Sequence, residues 1–346
     1  MSSVVSDLEQ RRFPPALAQY LAPISQFLAG DITEVCVNRP GELWTETFQG
    51  WEKHQVPELT YARMDQLATL VANFNNDRVG RDKPFLSGTL PNRERVQIVV
   101  PPATTEGTVS ITIRKPSMVD KTLEELEAEG SFSDAREATD GLSDVDRELL
   151  DLRRRGLIRQ FLELAVVSRK NILLGGATGS GKTTVMKSLA KCIPHSERVI
   201  TIEDAHELFM ADHPNKVHLF YRSGKEDGPQ STSQECLRSC MRMKPDRILL
   251  AELRGTEVWD YMDSLNSGHP GSLSSLHCNS ALDAFNRLTS LIKMSDGGMN
   301  LAPEYIQQMC LENIDIVLFY KRRRLQEIYF DPERRNASSR VREAVT

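Results

Sequence analysis

The sequence predicts an α/β protein: a mainly parallel sheet domain in the C-terminal half, preceded by a smaller α+β domain. Two features lead to it. After about Gly156 short apolar runs alternate with helical stretches across glycine turns, the pattern of repeated βαβ units. Before Pro116 helical and alternating segments are mixed without that rhythm. A chain of 346 residues also has room for two cores, at roughly 100 to 200 residues per domain.

Taken in order, residues 1–116 contain a helical LAQYLAPISQFLAG (17–30), a strand-like DITEVCVNRPGELWTET (31–47) and a helical LTYARMDQLATLVANFNND (59–77). The alternating runs VQIVV (96–100) and VSITIRKP (109–116) close the domain. Residues 117–155 are acidic, poor in aromatics and interrupted by glycine, which predicts a linker with short helical pieces. Such a linker, about 40 residues long, has the reach to let the first domain pack on its own second domain or on a neighbour's. Residues 156–346 carry the strand candidates NILLG, RVITI, KVHLF, RILLAE, GSLSSL, IDIVLFY and LQEIYF. Their short apolar character, bounded by turn or polar residues, fits buried parallel strands.

Composition narrows the classes. Hydrophobic residues make up 40% and charged residues 26%, the balance of a folded globular chain, so collagen-like, mucin-like and coiled-coil readings fall away. A net charge of -5 offers no global attraction to nucleic acid or anionic lipid, so either contact would need a local patch. No stretch reaches the ~18 consecutive apolar residues of a membrane span, and the opening MSSVVSDLEQRRF lacks a leader pattern, so the expected location is the cytoplasm. Six cysteines without a CxxC pair read as reduced thiols, and seven histidines show no zinc-ligand spacing.

The sharpest signal is Gly176-Ala177-Thr178-Gly179-Ser180-Gly181-Lys182-Thr183, a full match to GxxxxGK[ST], placed after NILLG and before the helical TTVMKSLAK that opens at Thr183 and Thr184. Glycines let successive N–H groups wrap into an anion nest, and the helix that follows adds its positive end. Lys182 is expected to reach the β and γ phosphates of a nucleotide, and the Thr183 hydroxyl to ligate Mg²⁺. Kinases, switches and motors share this loop, so the acids decide. Glu203 and Asp204 end one strand and Glu252 ends another, and in an open α/β sheet the carboxyl ends of strands line the ligand crevice. A carboxylate there orients water or holds Mg²⁺ through its water shell. His269 and His277 lie in Ser267-Gly-His-Pro-Gly-Ser-Leu-Ser-Ser-Leu-His-Cys-Asn279, and a histidine at a strand end near phosphate can sense the γ group.

Four boxes in this order, GATGSGKTT (176–184), TIED (201–204), ILLAELRG (248–255) and GHPGSLSSLHCN (268–279), resemble the secretion ATPases, and within them the hexameric traffic ATPases of bacterial type IV secretion and conjugation systems. The resemblance covers nearly the whole chain. It implies a RecA-like P-loop C-terminal domain, a second ring of N-terminal domains over it, and ATP with Mg²⁺ held between them. It also implies a catalytic and phosphate-contacting set of Lys182, Thr183, Glu203, Glu252 and His277, with Thr183 and Glu252 on the metal. Arg95 in RERVQ and Arg114 in SITIRKP match the family's N-terminal arginines, and guanidinium groups stabilise charge on a transferring phosphoryl group. Ala251 stands where the family commonly has glycine.

The implied activity is ATP hydrolysis by a homo-hexameric ring that powers pilus assembly and substrate export at the cytoplasmic face of the inner membrane. The implied partners are other secretion ATPases and inner-membrane components. A type II secretion or type IV pilus motor and a nucleotide-ordered scaffold are the alternatives; a four-cysteine zinc module of many type II motors is missing. The basic run Lys321-Arg322-Arg323-Arg324 reads as a solvated hairpin tip or, alternatively, a docking patch for membrane lipid or an acidic partner. It is too short to bind nucleic acid by itself.

Overall fold

The computed structural model describes residues 14–30, 32–116, 121–135, 141–222 and 231–334. The opening segment, parts of the expected linker and the last residues of the chain lie outside them. Two sheets organise the chain. The first is antiparallel throughout, with β1 (Glu34–Val37), β2 (Glu42–Thr47), β3 (Gly50–Gln55), β4 (Phe85–Thr89), β5 (Arg95–Val99) and β6 (Ser110–Arg114) in the order β3-β2-β1-β6-β5-β4. The helices Pro15–Ser25 and Tyr61–Phe74 pack their apolar stripes on it: Leu17, Leu21, Ile24, Met64, Leu67 and Val71 share one core with Val35, Ile98 and Ile111. Thr60 caps the second helix by accepting from Arg63 N–H at 3.2 Å. Strand β3, mostly exposed, was not legible in the sequence because as an edge strand it buries too little to show a pattern.

The second sheet holds β7 (Ile172–Gly175), β8 (Val199–Glu203), β9 (Lys216–Phe220), β10 (Arg247–Leu253), β11 (Leu273–Leu276), β12 (Ile316–Lys321) and β13 (Arg324–Phe330) in the order β13-β12-β7-β11-β10-β8-β9. All pairs are parallel except β12 with β13. Each strand candidate of the C-terminal half is a strand here. β7 sits centrally, so the loop after it opens at the carboxyl edge of the sheet, flanked by the ends of β11 and β12. Helices cover both faces. Leu237, Tyr261, Phe285 and Ile306 join one core, and Phe161, Met186 and Leu189 the other.

One stretch differs from the expected linker. Asp144–Arg154 is a helix capped by Ser143, whose hydroxyl accepts from Asp146 N–H at 3.0 Å. Its Leu149 and Leu150 are buried in one core with Phe161 and Leu318, so the helix belongs structurally to the second sheet's unit. Its polar majority hides this in the sequence, because two buried leucines are enough to dock a short amphipathic helix whose other faces are solvated.

The two sheets meet along β9. Thr104 bridges to Leu219, and its hydroxyl donates to His218 O at 3.0 Å. Phe220 N–H donates to Ala103 O at 2.9 Å, and Gln97 Nε2 to Ser239 Oγ at 2.9 Å. Fully buried Arg198 donates from one nitrogen to both Asn38 and Asn215, each at 2.7 Å, and so bolts the end of β1 to the second sheet. Among the described residues of this single chain the first domain packs on the second through these contacts.

Glu34 is buried beside Arg114, 3.6 Å away. Desolvation pushes its carboxyl up from 4.5 to about 7, against the opposing pull of Arg114. For an acid whose folded pKa exceeds its unfolded one, the cost is absent below the unfolded value, grows as pH rises through the interval and is complete above the folded value. Wild-type melting temperature is expected to fall between about pH 5 and pH 8 relative to Glu34→Gln, on the order of a few degrees. Parallel melting curves of the two proteins that keep a constant offset across this range would refute it.

Candidate functional site

The glycine-rich loop lies between β7 and the helix Lys182–Ala190. Gly176 has φ +145° and a side chain there would run into Tyr320 O and Ser180 Oγ, so the loop can pass β12 only as glycine. Gly181, with φ +98°, caps the helix. Thr178, Gly179, Ser180, Gly181, Lys182, Thr183 and Thr184 line a cavity of about 600 Å³. Gly176 and Ala177 stand behind it, and their carbonyls accept from Lys182 Nζ at 2.7 and 3.0 Å. Burial lowers the Lys182 pKa, partly offset by the charge of Glu252.

The opposite wall comes from the other strand ends: Asp204 and Leu208 after β8, Glu252 and Arg254 at β10, Ser275 and His277 at β11, and Tyr320 and Arg323 at the end of β12. Glu252 Oε1 lies 2.9 Å from His277 Nε2, and Glu252 Oε2 accepts from Arg254 at 2.7 Å. Burial raises the Glu252 pKa, but the hydrogen bond and charge of Arg254, with His277 and Lys182, outweigh it and hold the group below its ordinary range. Arg254 also donates to Asp204 at 2.9 Å, tying β8 to β10 across the mouth. A hydroxyl from Thr183 and the Glu252 carboxylate are hard oxygen donors in one space, a set that fits Mg²⁺.

Lys182, Thr183, Glu252 and His277 are therefore brought together. Glu203 is not. Its carboxylate is fully buried, accepts from Thr201 Oγ1 at 2.7 Å and takes the N–H groups of Glu207 and Leu208 at 2.8 and 2.7 Å. Burial pushes its pKa up, yet His218, Thr201 and these N–H groups more than compensate, so the net shift is downward. Strand alternation explains the difference: Thr201 and Glu203 share a face turned toward His218, and the following Asp204 faces the cavity. Glu203, His206 and His218 hold metal-ligand atom types within 4.8 Å of one another, but the oxygens of Glu203 and Nδ1 of His218 are already hydrogen-bonded, which accounts for the cluster as a polar network.

Arg95 and Arg114 face each other across β5 and β6, exposed and outside the cavity of their own chain. His269 is also outside it. Sequence reading missed Arg254, two residues past Glu252, and Arg323, whose turn the sequence places in solvent or on a docking patch. All six cysteines are free, as their spacing implied. Among the described residues no helix is long and apolar enough to cross a membrane.

Residues 145–314 match the family described as "Type II/IV secretion system protein". The chain is 42% identical over 330 residues to "Type IV secretion system protein VirB11" of Brucella suis, spanning 92% of this chain and 91% of that protein. It is 44% identical over 301 residues to the "Type IV secretion system protein PtlH homolog" of Bordetella bronchiseptica, spanning 85% and 86%. The crystal structure of the VirB11 ATPase from the Brucella suis type IV secretion system, in complex with sulphate, superposes with a TM-score of 0.87 at 42% identity, over 93% of this chain and 99% of that one.

Proposed function

Because the chain belongs to the VirB11 family of type IV secretion ATPases, we propose that the cavity after β7 binds ATP with Mg²⁺ and hydrolyses it to drive a ring of six subunits. The observation that carries this reading is the meeting of Lys182, Thr183, Glu252 and His277 in one cavity. Lys182 leaves the carbonyls of Gly176 and Ala177 for the β and γ phosphates. Thr183 and Glu252 would hold Mg²⁺, which when bound supplies charge neutralisation at the phosphate oxygens. Glu252, ionised and poised beside His277, positions the water that attacks the γ-phosphorus as the bond to the β-bridging oxygen breaks. His277 donates a hydrogen bond to the γ group and loses that partner once phosphate leaves.

Glu203 acts by holding the segment 204–208 in place. Arg95 and Arg114 act on the phosphates of a neighbouring subunit, which their outward position favours. The ring works with other secretion ATPases and inner-membrane components, as a peripheral protein at the cytoplasmic face. ATP turnover with Mg²⁺ and with excess EDTA, together with negative-stain images, tests the reading. Turnover is expected only with Mg²⁺, on six-fold rings. A chain that stays monomeric in every nucleotide state and hydrolyses nothing would favour a nucleotide-ordered scaffold instead.

A further inference from the structure

The hairpin of β12 and β13 pairs Lys321 with Arg324, leaving Arg322 and Arg323 as its two-residue turn. Both have positive φ, 51° and 61°. Two-residue turns of this kind favour Asn-Gly, because a side chain at positive φ crowds the backbone. Here two arginines hold that conformation. The turn is also seated on the phosphate-binding loop: Arg323 N–H donates to Ser180 O at 3.1 Å, and the Arg323 backbone lies against Gly181. Arg323 lines the same cavity as Lys182, whereas Arg322 does not. No carboxylate is paired with the Arg323 guanidinium among the described residues.

We infer that Arg323 is a phosphate-contacting residue of the nucleotide site, reaching the α and β phosphates that the loop amides around Gly181 cradle. This rests on the nucleotide reading of the cavity. The strained turn is kept because it delivers a fixed, always-charged fork to that end of the site, which asparagine and glycine cannot. The backbone hydrogen bond to Ser180 survives any substitution but proline, so the side chain can be tested without unseating the turn.

The test is titration of a fluorescent ADP derivative into the full chain, with melting temperature measured in parallel. Arg323→Gln is expected to weaken binding about tenfold or more, and Arg323→Lys to recover part of the loss. Arg322→Asn should bind as wild type. The pair Arg322→Asn with Arg323→Gly should melt higher than wild type and bind as weakly as Arg323→Gln. Wild-type affinity in both Arg323→Gln and the double variant would overturn the inference while leaving the nucleotide site standing. A wild type that binds no better than Lys182→Ala would overturn the nucleotide reading itself, and this inference with it.

Discussion

Lys182→Ala is expected to reduce ATP turnover by about 10² to 10³-fold or more, to background, while the protein stays folded. The amine is the cation of the loop that lies within the cavity, and Lys187, further along the helix Lys182–Ala190, does not line it and would not replace it in the proposed phosphate contacts. Its contacts in the free chain are two carbonyls of its own loop, and alanine is the best helix former, so the structural cost is small. A steady-state phosphate-release assay, with melting temperature as the control, checks this. Wild-type turnover in a folded variant would remove the central assignment.

Glu252→Gln should lower turnover by about 10² to 10⁴-fold and leave nucleotide affinity within a few-fold of wild type. On the proposed reading the loop amides and Lys182 carry the binding, and the carboxylate positions the water. Glu203→Gln should behave differently. Its amide group would turn a donor toward the N–H groups of Glu207 and Leu208 or toward Thr201, so the segment lining the cavity loosens and melting temperature falls. Measuring kcat, KM and melting temperature for both variants separates the roles. A Glu252→Gln enzyme with normal kcat, beside a stable Glu203→Gln enzyme with none, would reverse them.

The strand–loop–helix arrangement around Gly176–Thr183 was legible because its pattern is contiguous: eight neighbouring residues, a strand before and a helix after, leave little for tertiary packing to decide. The seven strands of the second sheet were legible for a similar reason, since buried parallel strands are apolar on both faces. Glu203 was not. Period-two alternation says that Thr201 and Glu203 share a face, but which face meets the cavity depends on where β9 and His218 lie. The helix Asp144–Arg154 escaped because only Leu149 and Leu150 are buried, and the contacts that complete its docking, Asp146 with Lys170 and Arg153 with Phe330 O, are made by charged residues that read as solvated.

The α/β class, the glycine-rich loop and the acid and histidine boxes can be read along the chain, because each depends on neighbouring residues. Packing in three dimensions sets which acid reaches the cavity, joins the ends of β8 and β10 through Arg254 and closes the turn at Arg322–Arg323 on the loop. Arg254 and Asp204 stand 50 positions apart, and Arg323 and Ser180 far more. Their meeting is set by sheet order and packing, which local pattern does not encode.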